Sequence, residues 1–263
     1  MVRRLTRCSA DTVRPVTGAA QLFTSAALAA GYAHDRPPVH AHLMARVPRH
    51  VIGPARTALD VGCGAGASTV ALRDLAARRI GIDPAPAMVG AARATGDEAA
   101  YLVARAEALP LAAGTVDLIG AAGALNFADL GAFVAEADRV LGPDGAAVVS
   151  DYGFGVPAAA PDWPQWFAGE WPRPAAAPVT AESFGGGPFA AVVDDAFAVT
   201  LPMTRAAYVA YALTDTRVAH AEAGGTARAE VAQWCEASLP PWEGDAAVTF
   251  AATLLVLRRV SRT

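Results

Sequence analysis

From residue 57 onward, short apolar runs alternate with longer stretches of helical spacing. Residues 57–61 form an apolar run that stops at Gly62, which predicts a buried strand. Residues 68–77 predict a helix, and 79–82 a second strand ending at Asp83. A helix over 86–95 tolerates Pro86 in its first turn. Strands follow at 100–103 and 116–121, then a helix over 130–141 that Gly142 and Pro143 stop, then a strand at 146–150. Strands alternating with helices predict an α/β fold, a mostly parallel sheet with helices on both faces.

The flanks are less regular. Residues 1–17 read as a loose leader, 18–32 as a helix ended before Pro37 and Pro38, and 39–50 as a second short helix. From 153 to 188 the alternation breaks into prolines and glycines with Trp163, Trp166 and Trp171. Such a length is unusual for a plain connection and predicts a functional lid. A strand over 194–201, a helix over 204–220 and a long final strand over 248–260 complete the chain, with no internal repeat. The expected organisation is one domain over 1–263: a helical cap at 1–50, a core at 51–152, a lid at 153–193, and the rest of the sheet at 194–263.

Composition narrows the chemistry. Of 263 residues, 54% are hydrophobic and 17% charged, which suits a packed globule. The net charge of −4 lacks the basic footprint of nucleic-acid binding. All 21 basic residues are arginine. Without lysine there is no Schiff-base pyridoxal chemistry and no P-loop. Cys8, Cys63 and Cys235 are too few and too far apart for a disulfide framework or a metal site, so no metal is expected. Arg3, Arg4 and Arg7 before an apolar stretch resemble a signal peptide, but Gln21, Thr24 and Ser25 interrupt it. No apolar run reaches the ~18 residues of a membrane span. The expectation is a cytoplasmic protein with no membrane or nucleic-acid partner.

The densest chemistry is the run Leu59, Asp60, Val61, Gly62, Cys63, Gly64, Ala65, Gly66. A strand here enters a turn of alternating glycines and leaves as a helix, so backbone can approach a ligand closely. Asp83 ends the next strand, where a carboxylate can accept bonds from two ribose hydroxyls. A dinucleotide enzyme prefers G-x-G-x-x-G, with helix amides facing a pyrophosphate. This chain has G-x-G-x-G, and Asp60 would repel a pyrophosphate but suits an ammonium group.

These residues resemble motif I of class I S-adenosylmethionine-dependent methyltransferases. The run Gly81, Ile82, Asp83, Pro84, Ala85, Pro86, Ala87, Met88 resembles their second motif. Ala106 to Leu111 with Thr115 to Leu118, Ala124 to Phe127, and Arg139 to Gly145 are similar to later segments in the same order. The resemblance implies a Rossmann-like seven-stranded sheet with its last strand antiparallel. It implies S-adenosylmethionine as cofactor, S-adenosylhomocysteine as product, and methyl transfer to a small-molecule O, N or C acceptor of the natural-product kind. Gly62, Cys63, Gly64 and Gly66 would line the methionine part, with Asp60 near its amino group. Asp83 and Pro84 would lie at the ribose, Met88 at the adenine face, and Ala106 and Glu107 at its edge. Asn126 and Phe127 would sit under the cofactor. Arg105 departs from the usual acidic or small residue and has no acceptor to offer. Tyr32 and Arg36, before Pro37 and Pro38, are similar to a segment in the trans-aconitate-type branch, where arginine meets the methionine carboxylate.

The lid should wall the acceptor, making Trp163, Trp166, Trp171 and Tyr152 candidate substrate contacts. Methyl transfer from a sulfonium needs no obligatory base. Asp151, Tyr152 and His34 are candidates for that role, with His40 and His42 beside them. Rival readings are a cofactor-retaining enzyme of this fold with other chemistry such as cyclisation, and a non-catalytic cofactor-binding subunit.

Overall fold

The computed structural model describes residues 22–53 and 55–260. The leader at 1–17 and residues 18–21 of the helix expected over 18–32 lie outside the described residues; the described part holds the helix Ala26–His34.

Eight strands form one sheet: β1 (Ala55–Val61), β2 (Ala76–Asp83), β3 (Ala100–Val103), β4 (Val116–Ala122), β5 (Leu141–Tyr152), β6 (Val156–Pro157), β7 (Phe189–Thr204) and β8 (Asp245–Arg259). Their order is β3-β2-β1-β4-β5-β8-β6, with β7 also paired to β8. The first five strands are parallel, and β8 runs antiparallel to β5, β6 and β7. This is the expected architecture, with the two-residue β6 as an addition.

Burial explains the arrangement. In β4 and β5, consecutive residues such as Leu118, Ile119, Ala146, Ala147 and Val148 are all buried, as strands covered on both faces require. One cluster, with Leu43, Leu72, Trp163, Tyr208 and Phe250, fills one side of the sheet; another, with Leu59, Ile82, Phe133 and Leu255, fills the other. In β7 buried or half-buried positions alternate with exposed ones, the pattern of an antiparallel strand with one wet face.

Several boundaries differ from expectation. The helix expected over 68–77 is a short α-helix, Ala67–Ala71, and a 3-10 turn, Leu72–Asp74, because β2 already begins at Ala76. The helix expected over 204–220 is two, Arg205–Ala212 and Thr216–Ala223. Asp215 breaks the run by capping the second, its carboxylate accepting the backbone N–H of Arg217 at 2.8 Å. The lid contains a helix, Trp163–Glu170, and a further helix at Arg228–Ser238 had no counterpart in the hydrophobic pattern.

The chain order reverses between β1 and β4, so their carboxyl ends open a crevice at the switch point. The helices Ala26–His34 and Val39–Ala45, the lid and the segment around Asp215 surround that crevice.

Candidate functional site

The glycine turn sits where β1 ends. Backbone N–H groups of Gly62 and Cys63 donate to the Ile82 carbonyl at 2.8 and 2.9 Å, tying the turn to β2. Gly62 has φ +71°, and a Cβ there would stand 2.3 Å from the Ala124 Cβ, so only glycine fits. Asp83 is held rigid: one carboxylate oxygen accepts from Gly64 N–H at 3.0 Å, the other from Ala85 N–H at 2.8 Å. Burial pushes its pKa up, and the two backbone donors act against that.

Asp60 is 1% exposed. Its Oδ2 accepts from the hydroxyls of Ser68 and Thr69, both at 2.6 Å. Its Oδ1 has no hydrogen-bond partner and faces Gly120 of β4, where a Cβ would stand 3.5 Å away. Burial raises the carboxyl to about 6, against the pull of the two hydroxyls.

A cavity of about 1140 Å³ occupies the crevice. It is lined by Gly62, Cys63, Gly64, Asp83, Pro84, Met88, Ala106, Glu107, Asn126 and Phe127, and by Tyr32, Arg36, Asp151 and Tyr152. The structure thus brings fourteen of the expected site residues to one space. Glu107 is fixed by the Asp129 N–H at 2.9 Å and by Arg105 Nε at 3.3 Å, so Arg105 serves as its ion-pair partner. Asn126 Nδ2 donates to Asp151 at 3.3 Å. Phe127 meets Phe23 edge to face.

Other expected residues lie elsewhere. Asp60 stands behind the turn, clamping the helix Ala67–Ala71 to β1 through Ser68 and Thr69, and does not reach the cavity wall. Gly66 also misses the wall. It has φ +96° and packs against Tyr101, whose hydroxyl would be 2.9 Å from a Cβ. His34 is exposed at the end of its helix, and His42 is exposed as well. The three tryptophans do not line the cavity either. Trp163 is buried, stacked on Phe167 at 5.1 Å with its indole N–H on Ser238 at 3.0 Å. Trp166 faces solvent at 55% exposure, and Trp171 packs edge-on to Trp234. Helical spacing decides this: of positions 163, 166 and 167, the apolar stripe takes 163 and 167. Of the lid's described aromatics, Phe154 is the one that reaches the cavity, stacked in front of Phe167 and Tyr211.

Arg36 is the best-anchored cation of the site. Its Nε donates to Thr214 Oγ1 at 3.0 Å, Nη2 to Thr214 O at 3.1 Å, and Nη1 to Tyr152 OH at 3.3 Å. The guanidinium lies 4.1 Å over the Tyr32 ring. All these partners are neutral, and no ion pair is formed with a carboxylate among the described residues. Burial lowers its pKa, but the facing tyrosines outweigh it and the net shift is upward. His40, across Tyr152 at 5.3 Å between ring centroids, has its pKa pushed down to about 4, by desolvation first and then by Arg36.

Sequence reasoning missed the remaining wall. Phe23, Phe154, Phe197 and Tyr211 are single aromatics on separate elements. Arg173 lines the cavity too, followed by Pro174, Ala175, Ala176 and Pro178, a Pro/Ala stretch without a chemical signature. Arg173 and Arg217 both face Asp215, at 3.8 and 3.2 Å. Among the described residues no helix is long and apolar enough to cross a membrane, and no cluster of metal-ligating side chains is found.

Residues 59–149 match a family described as a methyltransferase domain. A Dictyostelium discoideum protein named as a methyltransferase is 31% identical over 123 residues, 47% of this chain and 46% of its own length. The ubiquinone biosynthesis O-methyltransferase of Azorhizobium caulinodans is 34% identical over 97 residues, 35% of this chain and 38% of its own. The chain therefore spans less than half the length of these curated relatives. Among solved structures, one described as a type II methyltransferase from Anaeromyxobacter dehalogenans superposes with a TM-score of 0.61 at 25% identity, covering 82% of this chain and 94% of its own. A methyltransferase structure from Bacillus halodurans has a TM-score of 0.52 at 17% identity over 84% and 97%, a likeness of fold.

Proposed function

We propose, from the premise that residues 59–149 are a class I S-adenosylmethionine-dependent methyltransferase domain, that the whole chain methylates a small-molecule acceptor held in its central cavity. The observation that carries this reading is the cavity itself. Ligand pockets commonly measure ~300–1000 Å³. At about 1140 Å³, this one has room for a cofactor beside the glycine turn and a second molecule against Phe154, Phe197 and Pro174.

The residues fit the cofactor. Gly62 and Gly64 line the cavity and would offer backbone, not side chain, to the methionine part. The Asp83 carboxylate, already oriented by Gly64 and Ala85, retains acceptor capacity for two ribose hydroxyls. Arg36, with only neutral partners, is the natural seat for the methionine carboxylate. Met88, Ala106 and Glu107 would bound the adenine, with Asn126 and Phe127 beneath. Asp60 would act on the ammonium through its field from behind the turn.

When bound, S-adenosylmethionine supplies an activated methyl group on a sulfonium. The chain then has to align an acceptor and exclude water, which can supply roughly 7–11 kcal/mol in favourable cases. Phe154, Phe197 and the 173–178 stretch would form that dry chamber. Isothermal titration with S-adenosylmethionine, followed by radiolabelled methyl transfer to a metabolite panel, tests the reading. Binding of NADH without S-adenosylmethionine would overturn it.

A further inference from the structure

Resting on that reading, we propose that His40 accepts the proton released by the acceptor, and that Arg36 controls when it can do so. His40 lines the cavity from the helix Val39–Ala45. Its Nδ1 is sealed off without a hydrogen-bond partner, which leaves Nε2 as the nitrogen open to a molecule in the cavity. Tyr152, at the end of β5, packs edge-on against it and receives the Nη1–H of Arg36. Arg36, Tyr152 and His40 therefore form one cluster on the same cavity wall. Arg36 and Tyr152 are the charged and titratable groups set against the imidazole.

The chemistry follows from this cluster. A buried imidazole beside an uncompensated guanidinium stays uncharged, and the uncharged ring is the form that can take a proton. A carboxylate seated on Arg36 cancels part of that positive field and makes His40 more basic. The site would thus gain its base as the cofactor's carboxylate arrives. In the transfer, a lone pair on the acceptor oxygen or nitrogen forms the new bond to the methyl carbon. The carbon–sulfur bond breaks, and its electron pair stays on sulfur as a neutral thioether. The acceptor's proton passes to the imidazole and then to solvent. No oxidant or further reactant is needed.

Heteronuclear NMR titration of the histidine rings, with His40→Gln supplying the assignment, tests the coupling without an acceptor. His40 of the free protein is expected to titrate well below the ordinary histidine range. Saturation with S-adenosylhomocysteine should move it up by a pH unit or more. In Arg36→Gln the free protein should already show the raised value. An unmoved His40 in wild type saturated with S-adenosylhomocysteine overturns the proposal. Failure of S-adenosylhomocysteine to bind at all, seen by calorimetry, overturns the cofactor reading instead. With any acceptor methylated in the radiolabel panel, His40→Gln should lower kcat by about 100-fold or more and abolish the acid limb of the pH–rate profile. Its affinity for S-adenosylhomocysteine should stay within twofold. Retained kcat in His40→Gln would equally sink the assignment.

Discussion

Two aspartates at neighbouring strand ends carry different physics. Asp83 meets the cavity with its carboxylate fixed by two backbone donors. Replacing it by alanine removes a charged acceptor worth roughly 1.5–3 kcal/mol in hydrogen bonding. Calorimetry should show S-adenosylhomocysteine binding about 10- to 100-fold weaker in Asp83→Ala. Asp60 is sealed behind the turn, and burial raises its carboxyl from 3.8 to about 6. Between those values the native state holds a proton that the unfolded chain has released. The stability this group contributes is complete below about pH 4 and is lost as pH rises through 6. Asp60→Asn keeps an acceptor for Ser68 and Thr69 but does not titrate. Urea denaturation should show wild type losing about 2–3 kcal/mol relative to Asp60→Asn between pH 4 and 7. A flat difference across that range would contradict the buried, part-protonated carboxyl.

At the scale of elements, the lid helix Trp163–Glu170 separates structural from exposed aromatics. Trp163 lies within a stack of Phe154, Phe167 and Tyr208, while Trp166 points outward. Thermal denaturation should therefore place Trp163→Ala about 3–5 kcal/mol below wild type and Trp166→Ala within about 0.5. What was legible in the sequence follows the same division. The turn Gly62 to Gly66 was legible because its three glycines take positive φ, which few residues adopt, and Asp83 because it is a carboxylate at the end of the next strand. Tyr32 and Arg36 were singled out by the resemblance of their segment alone, and both line the cavity. Trp163 was misassigned because its indole is bonded to Ser238, 75 positions along the chain, a contact no local pattern encodes. The cavity wall at 174–178 is proline and alanine, whose role is shape, and shape appears only when β7 and β8 are paired beside it. The division of 204–220 into two helices turned on Asp215, a cap that reads equally as an ordinary helix residue.

For the whole molecule, the sheet order sets the site where three packed layers meet: the upstream helices, the strand ends and the segment around Thr214. β1, β2, β4 and β5 contribute their carboxyl ends, while Tyr32, Arg36 and His40 come from upstream helices and Thr214 from the far side of the lid. A ligand seated there joins these layers and should stabilise the fold as a unit. At a free concentration 100 times its Kd, a ligand adds about 2.7 kcal/mol. For a chain of this size that corresponds to a Tm rise of roughly 5–10 °C. S-adenosylhomocysteine is expected to give that rise, and NADH at the same concentration none. Gly62→Ala tests whether the stabilisation passes through the turn. The added methyl meets Ala124 and forces a left-handed backbone on alanine, a strain of roughly 1–3 kcal/mol before any clash is counted. Differential scanning fluorimetry should find Gly62→Ala lower in Tm without ligand and unresponsive to S-adenosylhomocysteine. A full ligand-induced rise in that variant would mean that the cofactor approaches the sheet by some other face.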